Sequence, residues 1–302
     1  MKPLQRSSGD LSADRRADYA EMLFQSGDHA AAAETMLAAL ERAPEWVLGW
    51  FRLGEMHEAA GSLEPAVQAW RMALSLDPDD RPGAALKLEL AGAAPVSAAP
   101  PGAFVEALFD QYAPSFDQSL VGKLNYRVPE LLMAALAALG ERSFEHAVDL
   151  GCGTGLMGEK LRPVAAFVEG HDISAAMLKK AAARGVYDRL EKSVLQLLDL
   201  PFHAADLVTA ADVFMYVGGL DQTVARTAAW LKPGGLFAFS VESHVGEGDF
   251  ILRPSRRYAH SEAYLRRLLA ENRFDLRSLE PAVIRLDRGE PIEGLIVVAQ
   301  SR

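Results

Sequence analysis

Residues His146 to Gly155 read His-Ala-Val-Asp-Leu-Gly-Cys-Gly-Thr-Gly. Ala147 to Leu150 is a short apolar run interrupted by one acid, the pattern of a buried strand. Gly151, Gly153 and Gly155 follow at alternate positions. Having no Cβ, glycine lets the backbone turn sharply and approach a ligand closely. Leu156 to Leu161 then opens a helix whose first amides face that turn. Strand, glycine loop and helix predict the mouth of a nucleotide pocket at the C-terminal edge of a parallel sheet.

Glycine spacing alone leaves two ligands open. The dinucleotide pattern G-x-G-x-x-G fails from Gly151, where its third glycine falls on Leu156, but fits formally from Gly153 through Gly155 and Gly158. Asp149 places a carboxylate at the strand end, which suits a ligand with a cationic amino group and no pyrophosphate. Asp172 follows a second apolar run, Val164 to Glu169. An acid at that place accepts hydrogen bonds from ribose hydroxyls, each contributing roughly 1.5–3 kcal/mol. Ser174 is placed to cap a helix over Ala175 to Arg184.

Further strands are expected at Leu190–Ser193, Asp206–Ala210 and Leu236–Ser240, with a helix over Thr223–Leu231 and a turn at Lys232-Pro233-Gly234-Gly235. Tyr258 to Asn272 contains another helix, and strands near Val283–Leu286 and Leu295–Gln300 close the chain. Strands alternating with helices imply an α/β domain with a seven-stranded, mostly parallel, doubly wound sheet, finished by an antiparallel hairpin.

With 302 residues, two domains are the natural expectation. The net charge of -10 argues against nonspecific nucleic-acid binding, since no net positive field attracts phosphates. Cys152 is the only cysteine, so neither an intrachain disulfide nor a cysteine zinc cluster is expected, and inside the glycine loop it reads as a small packing residue. No apolar run approaches the roughly 18 residues of a membrane span. Met1 to Asp10 lacks the apolar core of a signal peptide, so a cytoplasmic protein is expected. The seven histidines look scattered, and no metal site is expected.

Upstream, Gly27 and Gly61 lie at the 34-residue offset of tetratricopeptide repeats. At the same offset Ala32 matches Ala66, Met36 matches Trp70, Ala39 matches Ala73, Leu40 matches Leu74 and Pro44 matches Pro78. Repeats are placed at 13–46 and 47–80, followed by a capping helix near Pro82 to Leu90, in a domain spanning 13–91. About three repeats are needed for independent stability, so the pair is expected to lean on the second domain or another chain. Either a docking groove for a partner or a dimerising appendage fits this unit. Ala91 to Ala103, with Pro95, Pro100 and Pro101, reads as a linker, and the second domain spans 102–302.

Ahead of the glycine loop, Phe104 to Asp110 reads as a helix, and Gln118 to Arg127 leads into another over Pro129 to Leu139. Aromatics interleaved with acids here suggest a cap over the pocket. Tyr112 is a candidate cap residue, and Arg127 a candidate partner for a ligand carboxylate.

Taken together, the chain resembles class I S-adenosylmethionine-dependent methyltransferases, and in particular bacterial ones that carry N-terminal tetratricopeptide repeats. The resemblance rests on Phe109 to Asp117, Leu124-Asn125-Tyr126-Arg127, Val148 to Gly155, Asp172-Ile173-Ser174, Ala211-Asp212-Val213, Lys232-Pro233-Gly234-Gly235 and Arg257 to Ser261, in that order. It implies a Rossmann-like domain that binds S-adenosyl-L-methionine. Asp149 with Gly151, Cys152, Gly153 and Gly155 would hold the methionine moiety, Asp172 the ribose, and Ile173 one adenine face. Ser193, Val194 and Leu195 would line the other adenine face; Val194 stands where many relatives carry an acid. Asp212 would lie near the sulfonium and the acceptor.

Methyl transfer from a sulfonium is an in-line displacement that needs a base only for a protonated acceptor. By position the candidates are Asp212, Tyr216 and His260, with Glu242, His244 and Tyr258 behind them. The expected activity is methyl transfer to a small molecule or a protein, with the repeats recruiting it or mediating self-association. Two rivals stand beside it: an adaptor with a cofactor-binding but silent domain, and a nicotinamide dehydrogenase.

Overall fold

The computed structural model describes residues 6–117, 124–140 and 143–302. The chain divides into two compact units, Met1–Ala107 and Leu108–Arg302. The division falls inside a helix, Gly102–Tyr112, rather than in the proline-rich stretch before it. A continuous helix keeps its hydrogen-bond ladder through such a boundary, so composition alone does not mark it.

The first unit contains two helical hairpins, α1 (Leu11–Gln25) with α2 (His29–Leu40) and α3 (Val47–Ala59) with α4 (Leu63–Leu76), then α5 (Ala84–Leu90). Gly27 and Gly61 occupy matching turns with φ of +88° and +75°, a left-handed backbone that glycine adopts without penalty. The Asp10 and Asp28 carboxylates cap α1 and α2. In the second hairpin a Cβ on Gly54 would lie 2.2 Å from the Trp70 indole, so the missing side chain makes room for the fully buried Trp70. The matching positions of the first hairpin, Ala20 and Met36, are buried in one apolar cluster. A smaller large residue tolerates a larger small one. No helix among the described residues is long and apolar enough to cross a membrane.

The second unit is built on one sheet. Its strands are β1 (Phe144–Leu150), β2 (Ala165–Asp172), β3 (Arg189–Lys192), β4 (Ala205–Ala210), β5 (Leu231–Ser243), β6 (Phe250–Leu252), β7 (Tyr258–His260), β8 (Phe274–Asp287) and β9 (Glu290–Ser301). The order β3-β2-β1-β4-β5 is parallel throughout. β9 runs antiparallel beside β5, and β8 beside β9. Among the described residues the sheet therefore has nine strands rather than the seven expected. The additions are β6 and β7: β7 pairs with Glu242 and Ser243, past the point where β4 stops, and β6 pairs with β7. Three-residue strands carry too little pattern to be read from sequence. Lys232 to Gly235 also lies within β5, at a register shift against β4, rather than in a separate turn.

Helices α6 (Gly102–Tyr112), α7 (Val128–Ala137), α8 (Leu156–Leu161), α9 (Ala175–Arg184), α10 (Asp221–Trp230) and α11 (Glu262–Glu271) complete the chain, with Gln118 to Lys123 of the expected cap lying outside the described residues. Val128, Leu132 and Leu136 of α7 join Met157 and Leu161 of α8 over one sheet face. Val224 and Trp230 of α10 join Leu265 and Leu269 of α11 over the other. Alternation along the strands supplies both faces: Ala147 and Leu207 face one way, Val148 and Val208 the other. Because β1 to β5 run parallel, the loops that leave their C-terminal ends fall on one edge of the sheet.

Candidate active site

The loop after β1 turns through three left-handed glycines, Gly151 (φ +62°), Gly153 (φ +54°) and Gly155 (φ +97°). A Cβ on Gly151 would lie 2.6 Å from Val213. One on Gly153 would meet only Phe116 among the described residues, at 4.0 Å, so Gly153 leaves room above the loop. The Cys152 amide donates to the His171 carbonyl at 2.9 Å, while burial pushes its thiol well above the ordinary range. A protonated, buried thiol is a packing group.

Asp149 does not face open space. Its Oδ2 accepts from the Tyr187 hydroxyl at 2.7 Å and its Oδ1 from Thr209 Oγ1 at 2.9 Å. Burial raises its pKa to about 7 against the partial relief of those two bonds. Tyr187 also accounts for glycines that spacing left ambiguous: a Cβ on Gly158 would lie 2.3 Å from its ring, and one on Gly170 2.8 Å. Gly158 is therefore room for a tyrosine.

Asp172, at the end of β2, binds the loop directly. Oδ2 accepts from the Gly153 amide at 2.9 Å and Oδ1 from the Ser174 amide at 2.8 Å. Burial again dominates and raises its pKa to about 6. Ser174 caps α9 and donates its hydroxyl to Asp110 of α6 at 2.5 Å. Ile173 is half-buried beside Asp172, and so are Ser193, Val194 and Leu195 after β3. The Ser193 amide donates to the Asp172 carbonyl at 3.0 Å, which draws that wall toward the loop.

The segment before β1 supplies a lid of aromatics. Phe109 packs edge-on against Phe116 and Tyr216, with ring centroids 6.1 and 5.1 Å away. Asp117 ties the lid to the loop, accepting from Thr154 Oγ1 and, at 2.5 Å, from Arg184. Tyr112 is 49% exposed, and Arg127, which starts α7, is exposed as well. Neither side chain has a hydrogen bond or ion pair among the described residues, so neither joins the cluster.

Across the same edge, past β4, lies a different arrangement. Asp212 adopts φ +59°, unusual for a residue with a Cβ, and its amide donates to Ser240 Oγ at 2.9 Å. Arg285 from β8 donates through one nitrogen to both Asp212 oxygens, at 2.6 and 2.8 Å, and through the other to Glu242. Arg285 and Glu242 are almost wholly buried. Burial works against the Arg285 charge, but Asp212 and Glu242 outweigh it and hold the guanidinium above its ordinary value. Asp212 is thus an ion-pair partner with a fixed carboxylate, not a free base. Tyr216 is pushed up by burial and faces Arg257, which also donates to Asp287 at 3.0 Å. Tyr126 donates to the Ala211 carbonyl at 3.3 Å.

Of the remaining base candidates, His260 and Tyr258 are structural. His260 is fully buried, and its Nε2 faces the carbonyls of Val217 and Gly218, each at 2.9 Å. Two acceptors fix the proton on Nε2, and burial lowers its pKa to about 4. The ring pins the turn after Tyr216, so His260 positions the site rather than reaching it. Tyr258 is fully buried beside Gly218, and the His244 amide donates to the His260 carbonyl at 3.2 Å. The expectation of scattered histidines fails at one place: His146 and His171 meet on Glu169.

Sequence reading missed Tyr187, Thr209, Asp110 and Arg285. For Arg285 a signal existed, a cation inside the apolar run Val283-Ile284-Arg285-Leu286. Tyr187 gave none.

Residues 148–237 match a family described as a methyltransferase domain. Among curated proteins, the chain is 33% identical over 144 residues to human methyltransferase-like protein 27, covering 45% of this chain and 57% of that one. It is 30% identical over 136 residues to a malonyl-(acyl-carrier protein) O-methyltransferase of Enterobacter lignolyticus, covering 45% and 52%. With a trans-aconitate 2-methyltransferase of Paracidovorax citrulli it shares 36% over 109 residues, covering 35% and 42%. The chain spans about half the length of the curated relatives it matches. Among solved structures, a Burkholderia thailandensis 1,6-didemethyltoxoflavin-N1-methyltransferase with bound S-adenosylhomocysteine superposes with a TM-score of 0.54 at 20% identity, covering 69% of this chain and 92% of that one. The cyclase SpnF superposes with a TM-score of 0.51 at 18% identity, covering 65% and 94%. The second unit has the Rossmann-like methyltransferase fold, and residues 148–237 within it are similar to a methyltransferase domain.

Proposed function

We propose that this chain transfers a methyl group from S-adenosyl-L-methionine to a small-molecule or protein acceptor, with the N-terminal hairpins, read as tetratricopeptide repeats, recruiting that acceptor or a second copy. The observation that carries the reading is a pair of buried carboxylates, Asp149 and Asp172, whose hydrogen-bond partners are neutral amides and hydroxyls. Burial raises both pKa values, to about 7 and about 6. An arriving cation relieves that cost, and a pyrophosphate would aggravate it. S-adenosylmethionine brings an amino cation and a sulfonium; a nicotinamide dinucleotide brings phosphates. The open space over Gly153 gives the ligand backbone a place to lie.

S-adenosylmethionine supplies an electrophilic methyl when bound. The protein's share is binding, alignment and exclusion of water, and alignment alone can lower a barrier by roughly 7–11 kcal/mol. Asp172 accepts from the ribose diol, Ile173 and Ser193 to Leu195 enclose the adenine, and the loop amides hold the methionine end. Asp149 acts from behind the loop through its charge. Phe109, Phe116 and Tyr216 shield the acceptor from water, and Asp212 with Arg285 shapes the wall it meets.

Calorimetry on Asp172→Ala tests the reading. Roughly tenfold weaker S-adenosylmethionine binding is expected, on the order of 1.4 kcal/mol; unchanged affinity refutes the role of Asp172. The second reading, an adaptor with a silent cofactor domain, draws on the fold's breadth, since a cyclase shares it at TM-score 0.51. Labelled-methyl transfer in lysate, with protein and small-molecule products separated, distinguishes the two: binding with no labelled product favours the adaptor.

A further inference from the structure

On the far side of β2 from Asp172, three potential metal ligands converge. Parallel register puts Glu169 beside Arg189 and His171 beside Glu191. Side chains in register on neighbouring strands share a face, so these four form one patch. Single ligand atoms from Glu169, His171 and Glu191 lie within 4.8 Å of one another. Glu169 and His171 are each 2% exposed, while Glu191 is open to solvent.

The surroundings hold the two buried ligands, His171 and Glu169, in place. His171 Nε2 lies 3.0 Å from Glu169 Oε1, and its Nδ1 is 3.2 Å from Ser193 Oγ. Metal-ligating histidines donate their second ring N–H to an outer acceptor, and the Ser193 hydroxyl oxygen can accept it here. The other Glu169 oxygen lies 3.0 Å from His146 Nε2, and His146 Nδ1 is 3.2 Å from the Ala204 carbonyl. Arg189 pairs with both carboxylates, 3.3 Å from Glu169 and 2.6 Å from Glu191. Its side chain is 55% exposed and can swing into water. Lys192, next on β3, lies in register with Asp172 and so on the opposite face.

We propose that Glu169, His171 and Glu191 bind a divalent transition cation of the zinc class, with solvent completing the coordination and Arg189 displaced. One imidazole and two carboxylates suit zinc better than magnesium or calcium, which prefer all-oxygen shells. Two carboxylates against one dication leave the patch neutral. The site touches the cofactor pocket through two links, since the His171 carbonyl accepts from Cys152 and the Ser193 amide donates to the Asp172 carbonyl.

The test is calorimetric titration of the chelator-treated full chain with zinc chloride in a non-coordinating buffer, without S-adenosylmethionine, so its outcome is independent of methyl transfer. One zinc per chain is expected for wild type. Glu191→Gln, a solvent-facing change that spares the fold, should weaken binding tenfold or more, and His171→Gln at least as much. Arg189→Gln should tighten it severalfold by removing the competing cation. If neither wild type nor Arg189→Gln takes up zinc, or if Glu191→Gln and His171→Gln bind it as wild type does, the patch is a closed ion-pair network and the proposal is wrong. If Arg189→Gln alone binds zinc, the ligand set stands and the natural chain is shown to hold the guanidinium in the cation's place, which overturns the proposal for the natural chain.

Discussion

The two halves of the sheet's loop-bearing edge treat their acids in opposite ways. Beside β1 and β2, Asp149 and Asp172 are buried with neutral hydrogen-bond donors only, and both are pushed up, to about 7 and about 6. Beside β4 and β5, Asp212 and Glu242 share the Arg285 guanidinium, an internal counter-charge. On the proposed reading the first pair takes its cation from the ligand; the second has its cation built in. A site that must bind and release a charged ligand keeps its unpaired charge on the ligand side. A wall that only has to hold shape neutralises itself.

The sharpest way to break this contrast is to remove the built-in cation. Arg285→Met leaves Asp212 and Glu242 buried without a full counter-charge, because the other guanidinium that bonds Glu242 among the described residues is the more distant Arg253, at 3.3 Å. Loss of one partner of a buried pair costs about 3–5 kcal/mol. Urea unfolding should show that loss, and adding Asp212→Asn with Glu242→Gln should recover much of it. A destabilisation below about 1 kcal/mol would mean that the two edges do not differ as described.

Asp149→Asn should act in the reverse direction. An acid whose folded pKa is raised from 3.8 to about 7 destabilises the fold once ionised. That burden is absent below pH 4, grows as pH rises through the window between the two values, and is complete above 7. The amide variant should therefore unfold at higher temperature than wild type at pH 8, by an amount on the order of 1–4 kcal/mol, with the gain fading toward pH 4. Tyr187 and Thr209 can turn their hydroxyls to suit the amide. Thermal melts across that range, without ligand, check the sign. A variant less stable at pH 8 would show Asp149 already compensated.

The cofactor edge should also feel pH through its ligand. A cation binds the ionised carboxylates best, so S-adenosylmethionine affinity should rise between pH 5.5 and 8, by about tenfold, roughly 1.4 kcal/mol. In Asp172→Asn the rise should shrink. A flat profile in wild type would mean that both acids are ionised throughout or remote from the cation.

The contrast between the edges explains what could be read before any coordinates. The cofactor edge is built from neighbours: the Asp149 strand, its three glycines and the Asp172 strand end fall within 24 residues of sequence, as positions 149 to 172. Local turn chemistry therefore displays it. The acceptor edge joins residues far apart: Arg285 meets Asp212 across 73 positions and Glu242 across 43. An arginine in a strand looks the same whether it meets water or two acids. Tyr187 was equally hidden, 38 positions from Asp149. The glycines that accommodate it were visible, but their spacing also fitted a dinucleotide. The short strand β7 escaped notice because three residues hold no period, and with it went the reason for burying His260.

The smallest effects are expected at Tyr112 and Arg127, and they test where the cofactor edge ends. Both were natural cap residues by position, yet both are exposed with no side-chain partner among the described residues. Surface changes of that kind shift stability within about 0.5 kcal/mol. Arg127 holds its place through the backbone, its amide donating to the Ile284 carbonyl at 3.3 Å, and Arg127→Ala leaves that bond intact. If the cofactor edge consists of Asp149, Asp172 and the loop alone, Arg127→Ala and Tyr112→Ala should bind S-adenosylmethionine within about twofold of wild type, under 0.5 kcal/mol. A tenfold loss in Arg127→Ala with unchanged melting would show that its guanidinium meets the ligand carboxylate on binding. The edge would then recognise both ends of a zwitterion, buried acids taking the amino cation and an exposed arginine closing on the carboxylate.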